Sequence, residues 1–223
     1  MSKFIGRGQV REIDARAIAE FGISGLVLME NAGRGCTNAL LEVGCRGPVV
    51  VCCGKGNNGG DGFVIARQLD EAGIAVRVLL FGEPAELKGD ALTNFQIAGK
   101  CGLPIEVMSA TVTADELDSR LQGPEWIVDA LLGTGTTGNP QQPYATAIER
   151  INSAAAKRLA VDLPSGLDCE TGKPGQPTVR ATLTCTFVAQ KQGFEAAAAK
   201  PYLGVMRVIP IGVPRKLLAE YGL

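Results

Sequence analysis

The chain has 223 residues, 46% of them apolar and 20% charged, with a formal net charge of −1. That composition supports one buried core and argues against disorder, and without a Lys/Arg block it gives no electrostatic footprint for a nucleic acid. Apolar runs stop far short of the roughly 20 residues that cross a bilayer, so no membrane partner is expected, and the N-terminus lacks a signal-peptide core.

Two helices are predicted first, over 10–21 and 26–43, with Gly44 as a stop. Strands follow at 49–53, 75–81, 105–108, 126–131, 158–161, 182–189 and 205–209. Helices over 63–72, 87–101, 114–121 and 145–155 alternate with the earlier ones. Short β-branched runs separated by helical stretches predict an α/β fold: a Rossmann-like, doubly wound, mostly parallel sheet with extra N-terminal helices. One domain over 1–223 is expected.

The seven cysteines are odd in number and show no repeated spacing, so free thiols in a reducing cytoplasm are expected. Histidine is absent. Ser-His-Asp and Cys-His catalysis are thereby excluded, and acid–base chemistry falls to carboxylates, lysines, tyrosines or water.

In a doubly wound sheet ligands bind beyond the carboxyl ends of the strands. Three predicted strands end in polar, glycine-bearing segments. The first is Gly54-Lys55-Gly56-Asn57-Asn58-Gly59-Gly60-Asp61-Gly62, where strand, turn and helix would aim backbone N–H groups at an anion. Its glycines would let backbone approach a ligand. The second is Asp129-Ala130-Leu131-Leu132-Gly133-Thr134-Gly135-Thr136-Thr137-Gly138, which offers hydroxyls and N–H groups for a second phosphate; Asp129 also reads as an N-cap or turn former. The third, Asp162-Leu163-Pro164-Ser165-Gly166-Leu167-Asp168, places a carboxylate where burial is costly without a partner.

Gly54-x-Gly56-x-x-Gly59 also fits a dinucleotide fingerprint, with Glu83 placed to hold a ribose hydroxyl. Asn58, Asp129 and Ser165 come from three loops and carry one full charge, which suits a monovalent cation better than Mg²⁺. Lys191, after the strand at 182–189, reads first as a solvated surface residue, with reach into the site as the alternative. Glu30 and Asn31 read as satisfied packing contacts, with support of the rim or of a subunit interface as the alternative.

With Leu28-Met29-Glu30-Asn31-Ala32-Gly33 added to these three segments, the chain resembles the NAD(P)HX epimerase family, the YjeF N-terminal domain, over nearly its whole length. The resemblance implies a homodimer that interconverts the R and S forms of hydrated NADH and NADPH. It implies substrate contacts from Asn57, Asn58, Gly59, Gly60 and Asp61, from Gly133, Thr134, Gly135, Thr136, Thr137, Gly138 and Asn139, and from Asp162. It implies K⁺ as cofactor on Asn58, Asp129 and Ser165. Many bacterial members are fused to a dehydratase, which here is expected as a separate protein.

In the hydrated ring the C6 hydroxyl sits beside N1, so nitrogen push can expel it and water can return from the other face. Asp162 is the expected acid/base, with Asp61 as the alternate. Two other classes fit the fingerprint: an NAD(P)-dependent oxidoreductase and a nucleotide-binding scaffold or interaction module.

Overall fold

The computed structural model describes residues 4–223. Its elements run β1 (Phe4–Ile5), α1 (Arg7–Phe21), α2 (Gly25–Glu42), β2 (Val49–Cys53), α3 (Asn57–Glu71), β3 (Val76–Phe81), α4 (Gly89–Lys100), β4 (Ile105–Met108), α5 (Ala114–Arg120) and β5 (Trp126–Ala130). They continue with α6 (Tyr144–Ser153), β6 (Lys157–Val161), β7 (Leu183–Phe187), β8 (Gln190–Lys191), α7 (Lys200–Leu203), β9 (Val205–Ile209) and α8 (Arg215–Glu220). Seven of the strands form one sheet in the order β4-β3-β2-β5-β6-β7-β9, and every pairing in it is parallel.

This is the Rossmann-type order, running outward in both directions from β2 and β5. The crevice where the order reverses lies between those two strands. Both are buried along their whole length, whereas the edge strands β4 and β9 carry exposed residues. Side chains alternate across β2. Val49, Val51 and Cys53 join the core beneath α1 to α4, while Val50 and Cys52 join the core beneath α5 and α6. Cys52 and Cys53 accordingly face opposite ways, and all seven cysteines are free thiols.

Three local differences from the sequence-based expectation matter for the site. Helix α3 begins at Asn57, six residues before the expected start, so most of the glycine-rich segment is helix rather than loop. The stretch 182–189 is interrupted after Phe187, where Val188 takes φ +67° and the chain restarts as β8. Short β1, unanticipated, pairs in parallel with β8, Ile5 opposite Lys191, and so fixes where α1 starts.

Candidate active site

A cleft of about 520 Å³ opens at the carboxyl ends of β2, β5 and β6. Its walls include Lys55, Gly56, Asn57, Asn58 and Asp61 from the start of α3, and Leu131, Leu132, Gly133, Thr134, Gly135 and Thr136 after β5. Asp162 after β6, Phe187 at the end of β7 and Val188 after it complete the sheet side, with Ile211 beside them. Val10, Arg11 and Asp14 reach it from α1, and Tyr144 from α6.

The three expected segments therefore meet, but not every residue in them faces the cleft. Gly59 and Gly60 are turned into protein: a Cβ on Gly59 would stand 1.8 Å from the Gly54 carbonyl oxygen, and one on Gly54 would stand 2.0 Å from that of Leu131. These glycines let α3 sit tightly on the sheet; only Gly56, with open space before it, matches the expectation of backbone left bare for a ligand. Thr137, Gly138 and Asn139 line other hollows beside the cleft. Glu83 is exposed and caps a 3-10 turn, outside the cleft.

The feature suited to an anion is the N-terminus of α3. Its N-cap, Gly56, supplies no side-chain acceptor, so the first N–H groups are free to receive an anion, and the macrodipole adds to their pull.

Asp129 and Ser165 form a buried polar knot behind the cleft wall, and Asn58, in the wall itself, joins it through Leu132. Asp129 is completely buried on β5. It accepts from the Ser165 hydroxyl at 2.6 Å, from the Ser165 N–H at 2.8 Å and from the Leu131 N–H at 3.3 Å. Ser165 Oγ also accepts from the Leu132 N–H at 2.9 Å, and the Asn58 amide donates to the Leu132 carbonyl at 3.3 Å. Burial pushes the Asp129 carboxyl up to about 6 against these hydrogen bonds, and among the described residues no cation pairs with it. Neutral oxygens around one uncompensated carboxylate are what a weakly charged cation would require.

The first sequence reading of Lys191 is corrected by the structure in favour of the alternative: it is completely buried, not solvated, and reaches the site. Its Nζ lies 2.7 Å from Asp162 Oδ1 and donates to Thr186 Oγ1 at 2.9 Å and to the Phe187 carbonyl at 3.1 Å. Asp162 also accepts from the Phe187 N–H at 3.1 Å and the Thr186 hydroxyl at 3.3 Å. The carboxylate sits on a left-handed turn, φ +65°. Asp162 and Val188 are the two non-glycine residues with positive φ among those described, and both line the cleft. Val188 is the costlier, since a β-branched side chain rarely tolerates that region, and such strain persists where the surroundings over-determine it.

Two further carboxylates share this end of the cleft. Burial raises Asp61 well above the usual range, and the charges of Asp162 and Asp14 add to the effect. Asp14 is pushed up to about 6 by burial and by Asp162, with Lys191 opposing. Periodicity could not have singled out Asp14, which looks like any polar position of an amphipathic helix. The element carrying it is anchored by β1 against β8 and by Arg7, which donates to Asp168 at 3.0 Å and to the Thr136 carbonyl at 3.3 Å. Of the polar residues interrupting α2, Glu30 pairs with Arg67 and Gln68, and Asn31 donates to the carbonyl of cleft residue Ile211 at 2.9 Å.

The family model of the YjeF-related protein N-terminus matches residues 25–193, which hold the three segments and Lys191. The chain belongs to this family. Within the family it is 48% identical to the NAD(P)H-hydrate epimerase of Pirellula staleyi, over 99% of this chain and 97% of that protein. It is 43% identical to the NAD(P)H-hydrate epimerase of Rhodopirellula baltica, over 96% and 86%. The bifunctional NAD(P)H-hydrate repair enzyme Nnr of Pyrobaculum aerophilum is 43% identical over 86% of this chain, which spans 38% of that larger protein. The crystal structure of yeast ynu0 shares the fold at a TM-score of 0.83 and 21% identity, with 100% of this chain and 94% of that chain covered.

Proposed function

We propose that the protein is an NAD(P)H-hydrate epimerase that inverts the hydroxyl-bearing C6 of NADHX and NADPHX. The observation that carries this reading is the Lys191-paired carboxylate at the sheet rim, in the same cleft as an uncapped helix N-terminus. Together they offer proton transfer and a pyrophosphate seat, in a chain nearly coextensive with a relative named for that activity.

On this reading the α3 N-terminus with Asn57 and Asn58, and the Gly133–Thr134–Gly135–Thr136 wall, receive the diphosphate and ribose. Leu131, Tyr144, Phe187, Val188 and Ile211 provide apolar and aromatic surface for the rings. Asp162 is the proton-transfer group. Lys191 is its positioning residue, giving the buried carboxylate a counter-charge and fixing its direction. Gly59, Gly60, Thr137, Gly138 and Asn139 serve as supports for these contacts.

The knot of Asn58, Asp129 and Ser165 would hold K⁺. The fit lies in the donor set, one buried unpaired carboxylate among neutral oxygens. When bound, the ion supplies charge compensation to Asp129 and ties three strand ends together. A cytoplasmic homodimer handing its product to a dehydratase completes the proposal; the larger relatives are named as bifunctional NAD(P)H-hydrate repair enzymes.

The test is direct. Purified protein is mixed with one separated NADHX epimer, and the epimer ratio is followed by chromatography beside an enzyme-free control. Equilibration well above the spontaneous rate is expected. Equal rates with and without protein, for both NADHX and NADPHX, would refute the assignment.

A further inference from the structure

Epimerisation by loss and return of water needs two proton movements on opposite faces of the ring, one to the leaving oxygen and one from the incoming water. Asp162 can serve one face. Asp14 enters the same cleft from a different element, the N-terminal helix α1, while Asp162 enters from the sheet rim. We propose that Asp14 is the second catalytic residue, the general acid opposite Asp162, so that inversion is run by a carboxyl–carboxylate pair. This rests on the epimerase reading above.

The charges around the two groups divide the labour. Lys191 Nζ lies 2.7 Å from Asp162 and stabilises its anion directly. Asp14 has no ion-pair partner among the described residues. The groups facing it are Asp61 from α3, Asp162 after β6 and Lys191 on β8, with Arg11 on its own helix lining the cleft beside it. Two of these are carboxylates, which favours the protonated form of Asp14. Burial and Asp162 together raise Asp14 to about 6, which keeps a usable protonated fraction at neutral pH.

The step balances without an external reagent. Asp14 gives its proton to the C6 hydroxyl as the C6–O bond breaks, its electron pair leaving with water while the N1 lone pair forms the C6=N1 iminium. Water then attacks C6 from the other face, the C=N pair returns to N1, and Asp162 takes the water's proton. The proton returns from Asp162 to Asp14 through solvent in the cleft, and the reverse sequence inverts the other epimer.

The experiment compares wild type, Asp14→Asn and Asp14→Glu across pH 5 to 9, starting from separated NADHX epimers and subtracting the spontaneous rate. Wild-type kcat should fall as pH rises above about 6, because the acid form of Asp14 is lost. Asp14→Asn should lower kcat by about 10²-fold, the lower end for loss of a general acid, leave KM within about three-fold and abolish that alkaline limb. Asp14→Glu should restore the limb and part of the rate. Melting curves at pH 8 should show Asp14→Asn at least as stable as wild type, so that lost activity is not lost folding. A kcat within ten-fold of wild type, or an alkaline limb unchanged in Asp14→Asn, overturns the inference while wild-type activity leaves the epimerase reading standing. A wild type without epimerase activity overturns both.

Discussion

Replacing Lys191 by methionine keeps the length and packing of the side chain and removes its charge. The consequences follow from its surroundings. The ammonium is completely buried, 2.7 Å from Asp162, and donates to Thr186 and to the Phe187 carbonyl. Removing one partner of a buried ion pair leaves the other uncompensated and costs about 3–5 kcal/mol. In a domain of this size about 1 kcal/mol moves the melting temperature by about 2–4 °C, so Lys191→Met should melt about 6–20 °C below wild type at neutral pH. The double variant Lys191→Met/Asp162→Asn should recover most of that loss, because no unpaired charge remains, and the double-mutant cycle should give a coupling well above the additivity error of about 0.5 kcal/mol. Urea titrations of the four proteins measure the cycle. A Lys191→Met variant within about 1 kcal/mol of wild type, or a double variant no more stable than the single one, would refute the claim that each charge depends on the other for its stability.

Asp14 should make stability depend on pH. Its folded-state pKa is raised to about 6 from an ordinary 3.8, so the ionised folded form bears a penalty that is absent below about pH 4, grows as pH rises through 4 to 6, and is complete above. After screening by solvent the penalty is about 1–3 kcal/mol; Asp14→Asn should match wild type at pH 4 and exceed it at pH 8, as read by urea unfolding at both. Asp162→Asn should lower kcat in the epimer assay by about 10²–10⁴-fold, and a variant within a few-fold of wild type would move the proton transfer to another group. Gly59→Ala should lose about 3 kcal/mol or more, measured by thermal melting, because its Cβ would stand 1.8 Å from the Gly54 carbonyl oxygen. Melting in K⁺ against a bulky organic cation at equal ionic strength should show stabilisation by K⁺ in wild type and none in Asp129→Ala; equal shifts in both would remove the cation from Asp129.

Local chemistry in the sequence was enough to place the sheet, most helices and the three segments that meet at the rim. Continuous buried runs such as Val49–Cys53 and Trp126–Ala130 have one stable home, the centre of a parallel sheet, and their loops must then gather at one edge. The family is equally legible, because its motifs are contiguous and their order is carried along the chain. Contacts between distant residues are not legible in that way. Lys191 reads as solvated by composition, yet the turn at Val188 and the pairing of β8 with β1 fold it beneath Asp162. The glycines of the α3 start read as ligand-facing, but the close approach of that helix to the strand ends turns Gly59 and Gly60 inward. Asp14 differs from its polar neighbours on α1 only by where the helix is docked, and β1, Arg7 and Asp168 decide that. Sequence periodicity reports which face of an element is buried; which titratable groups share a cleft, and so shift one another's proton affinity, is set by the docking of elements far apart in the chain.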